Sequence, residues 1–208
     1  MHFFTKRSRN IFLFLVVISL TLLLSFRRDV ADNKVLKIGA IPDQNQEVLD
    51  RRFNLFSDEL SKQLNIKVNY IPVTNYMAAI TGFRTKGLDF VWFGGLSGVQ
   101  ARLQTPESLV IAQRDIDKEF KSVFIINKKL KIAPAKSIGD LKKLKNLRFT
   151  FGSENSTSGR LMPEYFLNLA GLKTSDFKGK RAGFSGSHDS TVALVNSGAF
   201  EAGALNKQ

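Results

Sequence analysis

The sequence contains no cysteine, which rules out disulfides, thiolate catalysis, cysteine-based zinc sites and a lipidated cysteine behind a signal peptide. Histidine is almost as scarce: His2 lies in the N-terminal leader, so a metal site would need His188 with carboxylates alone. Acidic residues are also in short supply, 18 against 31 Lys and Arg, for a formal charge of +13. A nucleic-acid surface would need a basic face interleaved with aromatics or a known module. The lysine-rich stretch 127–148, "NKKLKIAPAKSIGDLKKLKNLR", reads instead as the solvated face of a short helix and its flanks. Nucleic acid is therefore not an expected partner, whereas a basic surface draws small anions inward by long-range attraction.

What is present begins with a leader. "MHFFTKRSRN" is a basic n-region, and Ile11–Phe26 is an almost unbroken apolar run of signal-peptide length. Arginines occupy the place of the usual small-residue cleavage site in "SFRRDVADNK". Export is expected, with residues 1–32 either a cleaved signal peptide or an anchor in the inner membrane, and the mature part beginning near Asn33.

The remainder, 43% apolar across the whole chain, suffices for one large domain or two small α/β lobes. Short apolar runs alternate with amphipathic stretches. "VLKIGAIP" (35–42), "IKVNYIPV" (66–73), "LDFVWFGG" (88–95), "SLVIAQRD" and "KSVFIINK" read as strands. Residues 47–64 place Leu49, Phe53, Phe56, Leu60 and Leu64 at helical spacing. Thr74 or Asn75 caps a helix over Tyr76–Arg84 that Gly87 ends, and "LSGVQARLQ" is a further short helix. The pattern then restarts with a small helix opened by Ser137, strands in "LRFTFGS", "RAGFSGS" and "FEAGALN", and helices in "LMPEYFLNLAGL" and "HDSTVALVNSG". Such alternation predicts an α/β architecture with mainly parallel sheets. Ligands of those sheets collect at the carboxyl ends of the strands, which singles out loops 43–46, 74–76, 94–98, 153–159 and 185–189. The chain stops at Gln208 just after a strand, which reads as a fragment whose closing elements are unaccounted for.

"TFGSENSTSGRLMP" (150–163) gathers Ser153, Ser156, Thr157, Ser158 and Gly159 between a strand and a helix. A turn with an N-cap accounts for some of these hydroxyls. Their number also fits an anion cradle at a helix N-terminus, where free N–H groups and the positive end of the dipole converge. Pro163 forbids a regular ladder in the first turn, so the helix is expected to start near Ser158–Arg160 after an irregularity.

Four segments in order, "DFVWFGGLSGVQAR", "SVFIINK", "FTFGSENSTSGRLMP" and "GFSGSHDSTVALV", resemble the phosphate/phosphite/phosphonate substrate-binding proteins of bacterial ABC importers. The branch usually labelled selenate-binding is the most similar, and the resemblance covers about residues 35–208. It implies the type II periplasmic-binding fold, with lobe one over 35–115, lobe two over 120–206 and a small tetrahedral oxyanion in the cleft between them. It further implies permease and ATPase partners, no cofactor, no catalysis, and a missing C-terminal part of lobe one. Carried over by position, Ser156, Thr157 and Ser158 become the main ligand donors, with Gly159 completing their loop. His188 and Tyr76 join them. Phe120 stands where the family has a second pocket tyrosine, a loss of one hydroxyl that argues against the phosphonate preference of the better-known members. Arg160 is read as solvating its helix and Trp92 and Phe93 as core. Two rival functions share these residues: a membrane-tethered oxyanion sensor with the same fold, and a serine hydrolase joining Ser156 or Ser158 to His188 and Asp189.

Overall fold

The computed structural model describes residues 35–207; the leader and its expected cleavage or anchoring lie outside the described residues. Two sheets organise the chain, and each has its own helices and core. In lobe one, β1 (Val35–Ala40) is flanked by β2 (Lys67–Tyr70) and β3 (Phe90–Trp92), both parallel to it, in the order β2-β1-β3. Parallel neighbours need crossovers, and the two helices that provide them cover opposite faces. α1 (Gln46–Leu64) brings Phe53 and Leu60 onto Ile38, Val68 and Tyr70, with Phe53 stacked on Tyr70 at 5.1 Å. The predicted stripe is narrower than its spacing suggests, because Phe56 and Leu64 are exposed. α2 (Tyr76–Arg84) packs Tyr76 and Ala79 against Ile41 on the other face. Its cap is Asn75, whose side chain accepts from the Ala78 N–H. It ends before Gly87: Thr85 is the C-cap, and Lys86 rather than Gly87 takes the left-handed conformation. α3 (Gly95–Gln104) follows β3.

The expected strand in 108–115 does not form. Leu109 is 83% exposed, Val110 and Ile111 are similarly open, and the segment pairs with neither sheet. An apolar run becomes a strand only where an edge is free to accept its backbone groups. A 3-10 turn at Asp115–Glu119 then leads into lobe two.

There β4 (Ser122–Ile126), β5 (Phe149–Phe151), β6 (Gly183–Phe184) and β7 (Ala202–Asn206) adopt the order β4-β7-β5-β6. Only β4 runs antiparallel to its neighbour; the other pairs are parallel. Phe149 and Phe151 are fully buried, and Phe149 stacks on Phe177 at 4.6 Å. The core continues through Leu141 and Leu144 of the short helix after Ser137, and Leu167 of α4 (Met162–Leu169). α5 (His188–Ser197), capped by the Ser187 hydroxyl on the Ser190 N–H, precedes β7.

Candidate functional site

The carboxyl ends of β1 and β3 in lobe one and of β5 and β6 in lobe two meet at one seam, joined by three sets of hydrogen bonds. The loop after β1 docks on the first turn of α5: the His188 N–H donates to the Asp43 carbonyl at 2.9 Å, and the Asn45 N–H donates to the Asp189 carboxylate at 2.6 Å. The N-terminus of α3 reaches the hydroxyl loop, where the Leu96 N–H donates to Thr157 Oγ1 at 2.8 Å. Asn155 Nδ2 donates to Gln100 Oε1 at 3.0 Å beside it. Gly95 permits this approach, because a Cβ there would lie 3.3 Å from Thr157 Oγ1. Four of the five loops singled out by the parallel-sheet rule are thus paired across the seam, 43–46 with 185–189 and 94–98 with 153–159, and the fifth supplies Tyr76, whose hydroxyl faces Ser156.

Within the hydroxyl loop the residues divide into distinct roles. Ser156, not Ser158, is the N-cap: its Oγ accepts from the Gly159 N–H at 3.0 Å. A single π turn, Thr157–Leu161, follows, closed by the Leu161 N–H on the Ser156 carbonyl. This is the irregularity Pro163 requires, displaced ahead of the proline so that α4 begins at Met162. Gly159 packs against the end of β5, where the Gly152 N–H donates to the Gly159 carbonyl at 2.8 Å and a Cβ on Gly159 would come 3.1 Å from Gly152 Cα. Ser158 is 1% exposed, and its hydroxyl has no hydrogen-bond partner among the described residues. Buried hydroxyls are seldom left in that state, and each one asks for a reason.

His188 is 5% exposed. Its Nδ1 accepts from the Asn206 N–H at 3.4 Å, which leaves Nε2 to carry the ring proton in the neutral form. Burial holds its pKa below the ordinary value, against a smaller upward pull from Asp189. Tyr76 is 2% exposed, and burial, with Asp43 nearby, pushes its phenol well above the usual range. A neutral tyrosine and a neutral imidazole are both donors here. Phe120 stands apart at 43% exposed, at the end of the 115–119 turn. Arg160 is half-buried: it lies over the rings of Phe151 at 4.8 Å and Phe184 at 5.7 Å and pairs with Glu164 one turn on. The sequence reading passed over Asp43 and Asn45 as individual residues; the only signal was their position after β1.

A family model for the periplasmic substrate-binding protein of phosphonate ABC transporters matches residues 38–208. The chain belongs to that family. It is 75% identical over 194 residues to a Prochlorococcus marinus (strain MIT 9301) protein named "Probable ABC transporter phosphite binding protein PhnD1", covering 92% of this chain and 65% of that one. The Escherichia coli (strain K12) phosphonates-binding periplasmic protein is 32% identical, with 88% and 54% covered. The chain thus spans less than two thirds of the length of these relatives. The crystal structure of Prochlorococcus PhnD1 in complex with methylphosphonate matches with a TM-score of 0.83 at 79% identity, over 84% of this chain and 64% of that one. A Pseudomonas aeruginosa binding component of a phosphonate transporter shares the fold at 23% identity, with a TM-score of 0.69. The type II periplasmic-binding architecture expected from the sequence is the fold of this chain.

Proposed function

We propose that this protein is the extracytoplasmic solute-binding component of an ABC importer and takes a small phosphorus oxyanion between lobes bounded near 35–115 and 120–206. The observation that carries the reading is the Ser158 hydroxyl, buried without a partner on the loop where both lobes converge. Ser158, Thr157, Tyr76 and His188 Nε2 supply donors from both sides of the seam, with Ser156 and Gly159 shaping the loop. Thr157 accepts from Leu96 and keeps its own O–H for a ligand oxygen. Hydroxyls and a neutral imidazole can satisfy a tetrahedral oxyanion without burying a neutralising cation. The methylphosphonate bound by the Prochlorococcus relative favours a small phosphonate or phosphite over selenate. Phe120 then removes one polar contact without deciding against phosphonates. Permease and ATPase partners, and delivery across the inner membrane by the leader, follow from the same reading.

The hydrolase alternative lacks its connections: Asp189 accepts from Asn45, and His188 Nδ1 accepts from Asn206, so no Asp–His–Ser chain is assembled. Titration calorimetry of the protein with methylphosphonate, phosphite, phosphate and selenate tests the proposal. Preference for the first two is expected, and failure of all four to bind would refute it.

A further inference from the structure

Of the two acidic residues at this seam, Asp189 is held by the Asn45 N–H, whereas Asp43 is out of place for an anion site. Asp43 follows β1, and its backbone carbonyl holds the first turn of α5. The charged and titratable groups near enough to act on its carboxylate are Asp189 on α5, Tyr76 on α2, Tyr70 on β2, Arg114 ahead of the 115–119 turn and Arg52 on α1. Neither arginine is committed to it. Arg114 pairs with Asp117 at 2.7 Å and lies over the Trp92 ring at 5.5 Å, while Arg52 donates to Gln44 at 3.0 Å. The hydrogen bonds among the described residues give the Asp43 carboxylate no side-chain donor. Burial raises its pKa, with a smaller push from Asp189, and outweighs its own backbone N–H and the attraction of the two guanidiniums.

A bare carboxylate beside a fully ionised oxyanion repels it, and neither group could satisfy the other. One proton between them reverses the interaction, whether it arrives on the ligand or on the carboxyl, because an O–H···O⁻ bond is short and strong. Phosphorus oxyanions reach neutrality still able to hold that proton; the second ionisation of a phosphate monoester falls near about 6. Sulfate, selenate and sulfonates have no proton to bring. We propose that Asp43 is a specificity-determining residue that shares a single proton with the bound oxyanion and thereby selects protonatable phosphorus ligands over fully ionised sulfur and selenium ones. This rests on the oxyanion reading above and adds to it the rule of selection.

His188 does not offer the same service. Its Nδ1 is occupied by the Asn206 N–H and its environment favours the neutral ring, so proton uptake assigned to Asp43 is separable from it. The test is calorimetry of the full chain with methylphosphonate and sulfate at pH 8, in buffers of different ionisation enthalpy. Wild type should take up close to one proton per methylphosphonate bound and prefer it to sulfate. Asp43→Asn should abolish the uptake and cut the methylphosphonate-to-sulfate affinity ratio at least tenfold, the expected loss of one charge-assisted hydrogen bond. His188→Gln should keep the uptake. If Asp43→Asn does not fold, the wild-type measurement still decides, since binding without proton uptake overturns the proposal. An unchanged affinity ratio in a folded Asp43→Asn overturns it too, while leaving the oxyanion reading intact. Wild type that binds neither ligand overturns both.

Discussion

Ser156 and Ser158 stand two residues apart on one loop, yet their removal should have opposite consequences. The Ser158 hydroxyl is buried and unpartnered, so the ligand-free protein carries its desolvation cost, about 1–3 kcal/mol for such a group. Ser158→Ala removes that cost and leaves a space no larger than one oxygen. The ligand-free protein should gain about 1 kcal/mol of stability, within the range expected when an unsatisfied polar group is removed. The same change deletes a donor to a charged ligand, about 1.5–3 kcal/mol, or roughly tenfold or more in affinity. Ser156→Ala behaves in reverse. Its Oγ accepts from the buried Gly159 N–H and meets the Tyr76 hydroxyl, so its loss uncaps the π turn at a cost of about 1–2 kcal/mol. Thermal midpoints and calorimetric affinities for both variants, measured side by side, give the signature: Ser158→Ala more stable and weaker binding, Ser156→Ala less stable. A Ser158→Ala protein that loses stability and keeps its affinity would show that the hydroxyl serves the fold, and the loop would then be only a turn.

Gly159→Ala should cost about 1–3 kcal/mol, since its methyl group would press on the Gly152 backbone and on the capping Ser156 hydroxyl, each at 3.1 Å; a denaturant midpoint equal to wild type would contradict that packing. His188 should make ligand-free stability depend on pH. Its folded pKa lies below the unfolded value of about 6.5, so the unfolded chain binds more protons in that window, and the stabilisation present above about 6.5 is lost as pH falls. Asp43, whose carboxyl burial holds up, works the opposite way above its ordinary 3.8. The difference between wild-type and His188→Gln melting curves from pH 8 to 5 therefore isolates the imidazole, and parallel curves would refute its burial as a neutral ring.

Much of this was legible from residue order alone. The limits of α2 are those its pattern predicts, because Asn75 is a strong cap and the apolar face is continuous. The site loops were legible because parallel strands deliver their carboxyl ends to one edge, whatever the side chains. Tertiary facts were not. Residues 108–115 look like a strand, but no sequence signal says whether an edge awaits them. The cap at Ser156 was hidden by the π turn, whose extra residue shifts every later position relative to an ordinary helix start. Pro163 signals that an irregularity exists, without saying on which side of it the chain absorbs the strain. Asp43 was invisible for another reason: an acid near an anion site looks like a solvated turn residue until burial and its neighbours are known.

The order β4-β7-β5-β6 bears on how the protein is made. Among the described residues, lobe one has its three strands once Trp92 has emerged, although β1 and β3 lie about as far apart in sequence as β5 and β7. The described strands of lobe two assemble around β7, the last of them to be synthesised, with β4 waiting from Ser122 and β5 from Phe149 until Ala202 arrives. Closing such long loops costs entropy before any ladder repays it. During that interval "SVFII" and "FTF" expose apolar faces and unpaired edges, the combination that invites wrong partners. The three described strands of lobe one can therefore pair while the chain is still emerging, and the four of lobe two must wait for their centre.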